Sequence, residues 1–338
     1  MDSYNLVQEL AEMSVFSRIV IGVLLVALLS SCMTNSRSGC DRQCLIAMAN
    51  TYLEAIAAND PAMAHLSADV RFVENIVDLE PGQGIWETAT GVSDTYRIMV
   101  PDPSQASIGL LTLVSRHGKH GVFEALLAAR LKVRQGQIVE AEHLLDEVPA
   151  IADPANLQAP RANIQRIVHE DQRMSRRVLQ RIALSYYDAL NLSDGSLAPF
   201  AADCERMENG MITAAYHLGP ALFDSIDVND QPPPAVARDC IGQMNSRRFA
   251  YIDAIDNRRI VAVDPVQGLV MGWSHFRQSM AQGPQRMIAA DGSEVLWEEK
   301  RAPYDLPAAH VFKISGGQIH EVEALGIFLP YNSRMSWE

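Results

Sequence analysis

The chain has 338 residues, of which 48% are hydrophobic and 20% charged, with a formal net charge of −13. This is globular composition, long enough for two domains. The acidic balance, with no basic stripe carrying interleaved aromatics, argues against a nucleic-acid partner, because phosphate backbones are held by clustered Lys and Arg.

In chain order, the first feature is Arg18, followed by an apolar run from Ile19 to Leu29 and then Leu29-Ser30-Ser31-Cys32. The run is too short for a bilayer span, which needs about 20 residues. A basic flank, a short apolar core and small residues before a cleavage point read as a signal peptide over 1–32. Its last four residues resemble a lipobox, so Cys32 is the expected lipidation site; an uncleaved anchor is the alternative. Met13 as the start would give a better-shaped signal. Residue 33 is Met and not Asp, so the inner-membrane retention signal of such lipoproteins is absent. The expectation is a cell-envelope protein, lipid-anchored in the outer membrane, facing the periplasm and touching membrane only through its lipid. Cys40, Cys44, Cys204 and Cys240 remain, an even count that permits two disulfides in an oxidising compartment. Cys40–Cys44 and Cys204–Cys240 is the favoured pairing, each within one proposed domain. The spacing of Cys40 and Cys44 suits neither redox chemistry nor zinc, and His117-Gly-Lys-His120 reads as a hairpin tip, so no metal is expected.

The most informative feature is an internal repeat. Residues 48–75 align without gaps to 182–209, with Ala49, Tyr52, Ala55, Asp60, Ala64, Ala68, Asp69, Glu74 and Asn75 recurring identically. "YRIMVPDPSQ" from Tyr96 resembles "RRIVAVDPVQ" from Arg258, and "RLKVRQGQIVEAE" from Arg130 resembles "VFKISGGQIHEVE" from Val311. Three blocks in one order indicate duplication. Each copy opens with helical spacing, Ala47, Thr51, Ala55 and Ala58 in the first and Ile182, Tyr186, Ala189 and Leu190 in the second. Asn-Asp-Pro at 59–61 and Ser-Asp-Gly at 193–195 stop the helices. Strands follow at about 70–76 and 204–210, then alternating β-branched and aliphatic runs from Val122 to Val133, Ile260 to His275 and His310 to Ile314. Gln135-Gly136 and Gly316-Gly317 predict tight hairpins leading into closing strands from Ile138 to His143 and Ile319 to Ala324. Residues 149–175 read as a proline-bearing linker. The stretches 211–247 and about 278–307 are insertions in the second copy, expected to form rims or lids.

A helix followed by a curved antiparallel meander resembles the cone of the SnoaL-like, nuclear-transport-factor-2-like superfamily. The phrases "VRFVEN", "GQGIWETATG", "DNRRIVAVDPVQGLV", "VFKISGGQIHEVEA" and "LPYNSRMSW" resemble a tandem, mostly secreted group within it, of unassigned function. The chain departs from that group at Asp264-Pro265, where Asp-Glu is more usual. The resemblance implies an α+β fold of two tandem cone-shaped barrel domains, 41–148 and 176–338, packed as an internal pseudo-dimer with the tail at Trp337 crossing the seam. It also implies an apolar pocket in each cone for a small hydrophobic or aromatic molecule and no cofactor. Members such as ketosteroid isomerase use a pocket carboxylate as base, although a fold does not determine a reaction.

A carboxylate in an apolar pocket loses hydration, and its pKa rises toward neutrality, which suits a proton shuttle. Glu74 shares a strand face with Phe72 and Val70 and is the candidate base of the first copy. In the second, Arg206 is near enough to Glu208 to pair with it, which would lower its pKa and spoil it as a base. The alternative is that Glu74-Asn75 and Glu208-Asn209 cap the following turns. Arg258 and Arg259, flanked by Asp256 and Asp264, could hold a substrate carboxylate bidentately or orient water, or else form a surface ion-pair ladder. His275 follows Trp273 on one strand face, as a pocket wall or a satisfied sheet histidine. The candidate catalytic set is thus Glu208, Arg258, Arg259, Asp264 and His275, with Glu74, Asn75, Asn209 and Trp273 as ligand contacts. Glu140/Glu142 and Glu321/Glu323 are paired on the closing strands and read as a solvated outer face, with Lys132 and Lys313 as neighbours. Trp86, Tyr96, Trp297, Tyr331 and Trp337 read as core or interface aromatics. The expected activity is a cofactor-free lyase, isomerase or hydrolase, with a periplasmic binding protein or an envelope scaffold as the alternatives.

Overall fold

Two long helices each bury one face. Helix α1 (Arg42–Ala57) is capped by Asp41, whose carboxylate accepts from the Cys44 N–H at 2.9 Å, and it buries Leu45, Ala49, Tyr52, Leu53 and Ile56. The second long helix, Arg176–Leu192, buries Leu179, Ile182, Ala183, Tyr186, Tyr187 and Leu190. Asn59 and Ser193 take left-handed backbone, at φ 55° and 53°, and the next residues, Asp60 and Asp194, each cap a short 3₁₀ turn. The computed structural model describes residues 40–215, 239–288, 292–335 and 337. Cys32 and the apolar run before it lie outside the described residues. No helix among those described is long and apolar enough to cross a membrane.

The strands build a mixed α+β structure with two large sheets. The first holds β1 (Leu66–Glu74), β2 (Val77–Leu79), β3 (Ala89–Asp102), β4 (Ser107–Gly118), β5 (Gly121–Arg134) and β6 (Gln137–Glu147), in the order β2-β1-β6-β5-β4-β3. The short helix α2 (Ile85–Thr88) precedes β3. The second holds β7 (Phe200–Glu208), β8 (Met211–Ala214), β9 (Ala254–Asp264), β10 (Leu269–Gln278), β13 (Tyr304–Ser315) and β14 (Gln318–Gly326), in the order β8-β7-β14-β13-β10-β9, with β15 (Leu329–Pro330) beside β13. The two orders are equivalent strand by strand. In each, the first strand lies parallel to the last, and the remaining neighbours are antiparallel. The 118–121 turn joining β4 to β5 carries Lys119 and His120 at its tip. Gln135-Gly136 and Gly316-Gly317 both have positive φ at their two central positions, which suits hairpins of the right-handed twist.

Each sheet is covered on both faces. One face packs on its helix, Tyr52, Leu53, Ile56, Phe72 and Trp86 in the first and Tyr186, Tyr187, Phe276 and Phe312 in the second. The opposite faces meet each other in a third cluster that joins Tyr96, Ile98, Leu111 and Leu126 to Met271, Trp273, Val311 and Leu325. Burial on both faces accounts for the near-continuous apolar runs of β4, β10 and β13. Gly109 of β4 sits so close to Met271 of β10 that a Cβ there would lie 2.3 Å from the Met271 sulfur. The 149–175 segment is not a free linker. It holds α3 (Ala162–Gln165) and buries Leu157 and Ile164 in the inter-sheet cluster. With that segment counted, the long helix Arg176–Leu192 is α4.

Ion pairs cross the seam reciprocally. Arg42 at the start of α1 reaches Asp264 of β9 at 2.8 Å, and Arg176 at the start of α4 reaches Asp102 of β3 at 2.8 Å. Arg42 and Arg176 occupy the same repeat position, as do Asp102 and Asp264. Both aspartates are buried. Asp102 also accepts from the Val263 N–H.

Cys40 is bonded to Cys44, and Cys204 of β7 to Cys240 at the start of helix α5 (Cys240–Asn245). The second bond closes a loop over a sequence separation of 36. Replacing both Cys204 and Cys240 by Ala is expected to lower stability by about 4 kcal/mol from loop entropy. Equilibrium denaturation of the oxidised wild type and the double variant measures it.

Candidate functional site

Three groups of polar residues are buried, one behind each sheet and one between them. Behind the first sheet, the Tyr52 hydroxyl of α1 lies 2.9 Å from His143 Nε2 of β6, and His143 Nδ1 lies 3.4 Å from Glu74 Oε2 of β1. The Ile85 N–H donates to the same Glu74 oxygen at 3.2 Å. Burial raises the Tyr52 hydroxyl well above its ordinary range, and the Glu74 carboxylate adds to the rise. Phe72 and Trp86 pack edge-on around this relay, which is sealed: Glu74 is 8% exposed and His143 fully buried.

The second sheet repeats the relay with a different bridging side chain. Tyr186 and Glu208 stand at the repeat positions of Tyr52 and Glu74. In the parallel register His143 faces Glu74, whereas Ala324 faces Glu208. The bridging side chain comes instead from β7: Arg206 occupies the repeat position of Phe72. Its Nε donates to the Tyr186 hydroxyl at 2.7 Å, its Nη2 is paired closely with Glu208, and its Nη1 donates to Thr213 and to Gln243 of α5. The Cys204–Cys240 bond holds α5 where Gln243 can do this, and Gln243 in turn donates to the Thr213 carbonyl. Burial pushes Tyr186 up to about 12. Tyr187 reaches His310 Nδ1 at 3.3 Å, and burial, helped by Arg206, pushes His310 down to about 3. This relay is open at one end, since the Glu208 side chain is 35% exposed. Arg248 and Tyr251 stand within electrostatic reach of Glu208. Beyond them, the hairpin of β11 (Gln285–Ile288) and β12 (Glu294–Trp297) packs Trp297 on Tyr251 and bonds Ile288 to the Ser246 carbonyl. The described parts of both insertions therefore gather at the Glu208 end.

The third group lies between the sheets. Glu142, Glu321 and Glu323, expected on a solvated outer face, are buried there because that face of each closing strand is covered by the other sheet. Glu142 takes Arg130 of its own sheet at 3.1 Å and Arg259 of the other at 2.6 Å. Glu323 takes Arg161 from the 149–175 segment at 3.0 Å and the Tyr96 hydroxyl of the first sheet at 3.4 Å. Arg161 also reaches Glu321 and Glu205. Burial pushes the Glu323 carboxyl up to about 7 against the pull of Arg161, and Glu321 adds to the rise. Lys132 and Lys313 bond mainly to carbonyls, Gln105 for the first and Arg166 and Gln267 for the second.

The structure disperses the second-copy constellation. Arg258 and Arg259 are consecutive on β9 and take opposite faces, so they form no fork. Arg258 turns to Asp188 on α4 at 2.6 Å, and Arg259 crosses the seam to Glu142. Asp256 pairs with Arg277 and Asp264 with Arg42. Trp273 belongs to the inter-sheet cluster, and His275, on the same strand face, lies 3.3 Å from Asp305, so this pair walls the seam and not the interior behind the second sheet. Asn75 and Asn209 are turn residues, at φ 48° and 46°, each with its amide nitrogen on one backbone carbonyl and its amide oxygen on one backbone N–H of the closing strand side. These bonds tie each asparagine to the backbone beside the closing strand. Tyr331 is exposed. The residues missed in the sequence, Tyr52, His143, Tyr186 and Gln243, left one usable signal: the tyrosine and the glutamate recur in both copies.

A family model described as "Domain of unknown function (DUF8021)" matches residues 172–326. No curated protein matches the chain. Among solved structures, the chain is similar to PrhC from Penicillium brasilianum at 16% identity and TM-score 0.27, over 31% of this chain and 82% of that one. It is similar to the BvnE pinacolase from Penicillium brevicompactum at 12% identity and TM-score 0.29, over 34% and 90%. It is also similar to a protein with a ketosteroid isomerase-like fold from Catenulispora acidiphila, at 14% identity and TM-score 0.24, over 28% and 82%.

Because the folded chain raises Glu323, that carboxyl contributes stability below its unfolded value near 4.5, and the contribution is lost as pH rises through about 7. Glu323→Gln is expected to remove a pH-dependent loss on the order of 2 kcal/mol between pH 5 and 8. Thermal or urea denaturation of both proteins across that range reads the difference; parallel profiles would refute it. His310 acts with the opposite sign, its contribution fading as pH falls below 6.5, and it is common to both proteins.

Proposed function

We propose that this chain is an exported lipoprotein, anchored through Cys32, whose body is two nuclear-transport-factor-2-like cones packed as an internal pseudo-dimer. In this reading the second cone takes up a small organic molecule at Glu208. The single observation that carries the site is the contrast between the two relays. The Tyr52–His143–Glu74 set is sealed, while Tyr186–Arg206–Glu208 ends in a half-exposed carboxylate. The first cone then serves as structure and the second as the working copy.

Supporting the pseudo-dimer are the equivalent strand orders and the exchanged pairs Arg42–Asp264 and Arg176–Asp102. A two-fold arrangement brings residue i of one half to j of the other and the reverse. Supporting export are the two disulfides, which persist in oxidising compartments. Cys32→Ser is expected to move the protein from the membrane to the soluble fraction after cell fractionation.

Arg206 fixes one side of Glu208, with Gln243 and Tyr186 fixing Arg206. Such a carboxylate accepts a hydrogen bond from a ligand O–H or N–H in a set orientation. It also serves as the proton acceptor of a cofactor-free lyase, isomerase or hydrolase when the ligand offers an acidic proton there. Arg248 and Tyr251 beside it supply a cation and a donor for charge that develops on the ligand. The test is native mass spectrometry of the unlipidated chain from residue 33, before and after incubation with a hydrophobic metabolite extract, with wild type and Glu208→Gln in parallel. A molecule retained unchanged by wild type, and held at least tenfold more weakly by the variant, indicates binding. A consumed metabolite with a new product, lost in the variant, indicates catalysis. Neither result, or an identical result for both proteins, would overturn the site and favour an envelope scaffold.

A further inference from the structure

A cleft of about 210 Å³ opens at the seam, lined by Gln105, Ser107, Arg130, Lys132, Arg176, Arg259, Ile260, Val261 and Trp337. It belongs to neither relay. Its walls come from β4 and β5 of the first sheet, β9 of the second, the start of α4 and the C-terminal tail. We propose that this cleft is a binding site for a small aromatic monocarboxylate.

Charge comes first. Four cations line the cleft, and the carboxylates paired with them are three: Glu140 and Glu142 on Arg130, Glu142 again on Arg259, and Asp102 on Arg176. Lys132, directly opposite Glu140 in the β5–β6 register, spends its ammonium on the Gln105 carbonyl. Among the described residues these cations outnumber the carboxylates paired with them by one, which matches a monoanion. Unused donors point the same way. Arg130 is nine-tenths buried, yet its Nη2 has no acceptor, and neither has Arg259 Nε. Both guanidinium groups are held by Glu142 from opposite sheets, so the pair is pre-set for planar, bidentate recognition of an added carboxylate. A buried donor without a partner is destabilising. An oxyanion relieves that.

The ring half of the ligand follows from Trp337. Arg130 lies over its ring at 4.3 Å and Arg71 at 4.1 Å, which fixes an aromatic wall beside the cationic floor. Arg71 is tied to Asp78, which also takes Arg334, so the tail is pinned to the first sheet by charge. Ile260 and Val261 supply the apolar side. The volume is below that of a drug-sized pocket, roughly 300–1,000 Å³, and admits a single-ring molecule.

The probe is benzoate, titrated into the chain from residue 33 by calorimetry at low salt, with benzamide as the neutral isostere and inorganic phosphate as a compact anion. Wild type is expected to bind benzoate at least tenfold more tightly than either control, and more weakly as salt is raised. Lys132→Met, whose ammonium bonds the Gln105 carbonyl and neither Glu142 pair, is expected to weaken benzoate at least fivefold with the unfolding midpoint unchanged; Trp337→Leu, which removes the ring stacked on Arg130, is expected to weaken it at least fivefold. Glu208→Gln is expected to leave benzoate binding as it is, which separates this site from the second cone. Equal binding of benzoate and benzamide would overturn the proposal. So would phosphate binding as tightly as benzoate, unaltered affinity in both seam variants, or loss of benzoate binding in Glu208→Gln alone.

Discussion

The structure depends on carboxylates buried between two sheets and on the cations that cross to meet them. Asp102, Asp264, Glu142 and Glu323 all lie within the seam. A carboxylate taken out of water without a partner is expensive, and removing one partner of a buried pair costs about 3–5 kcal/mol. Each of the four takes a donor from a distant part of the chain: Arg176, Arg42, Arg259, and Tyr96 together with Arg161. These pairs specify one relative placement of the sheets, since a shifted seam would strand several charges at once. Apolar contacts such as Met271 against Gly109 fill the space between but would tolerate sliding more readily.

Behind each sheet, the same tyrosine and glutamate positions are bridged by different side chains. In the first, His143 on the closing strand bridges Tyr52 to Glu74, and Phe72 fills the space beside it. In the second, Arg206 at the Phe72 position does the bridging, and Ala324 stands where His143 would be. Arg206 is buried while Glu208 beside it is 35% exposed, whereas Glu74 is held inside by His143 and the Ile85 N–H. The disulfide and α5 then support the open form through Gln243.

Much of the scaffold was legible locally. The repeat, the helix stops at Asn59-Asp60 and Ser193-Asp194, and the hairpins at Gln135-Gly136 and Gly316-Gly317 follow from spacing and turn chemistry that act over a few residues. The Arg206–Glu208 pair was also readable, because residues two apart on a strand share a face. The expected Arg258–Arg259 fork was not, because adjacent residues on β9 diverge to opposite faces and each meets a different partner. The 149–175 segment reads as a proline-bearing linker from composition, yet Arg161 within it answers two buried glutamates of β14.

By itself the sequence determined which residues alternate, where the chain turns, and that three segments recur in one order. It could not determine what covers each face. The pattern Glu140/Glu142 and Glu321/Glu323 has a period of two whether the face meets water or another sheet. The partner that makes Glu142 a buried group is Arg259, 117 residues further along the chain. Only the tertiary structure decided that the paired glutamates form the seam, because burial of a charge is settled by what a remote segment brings to it and not by its neighbours in sequence.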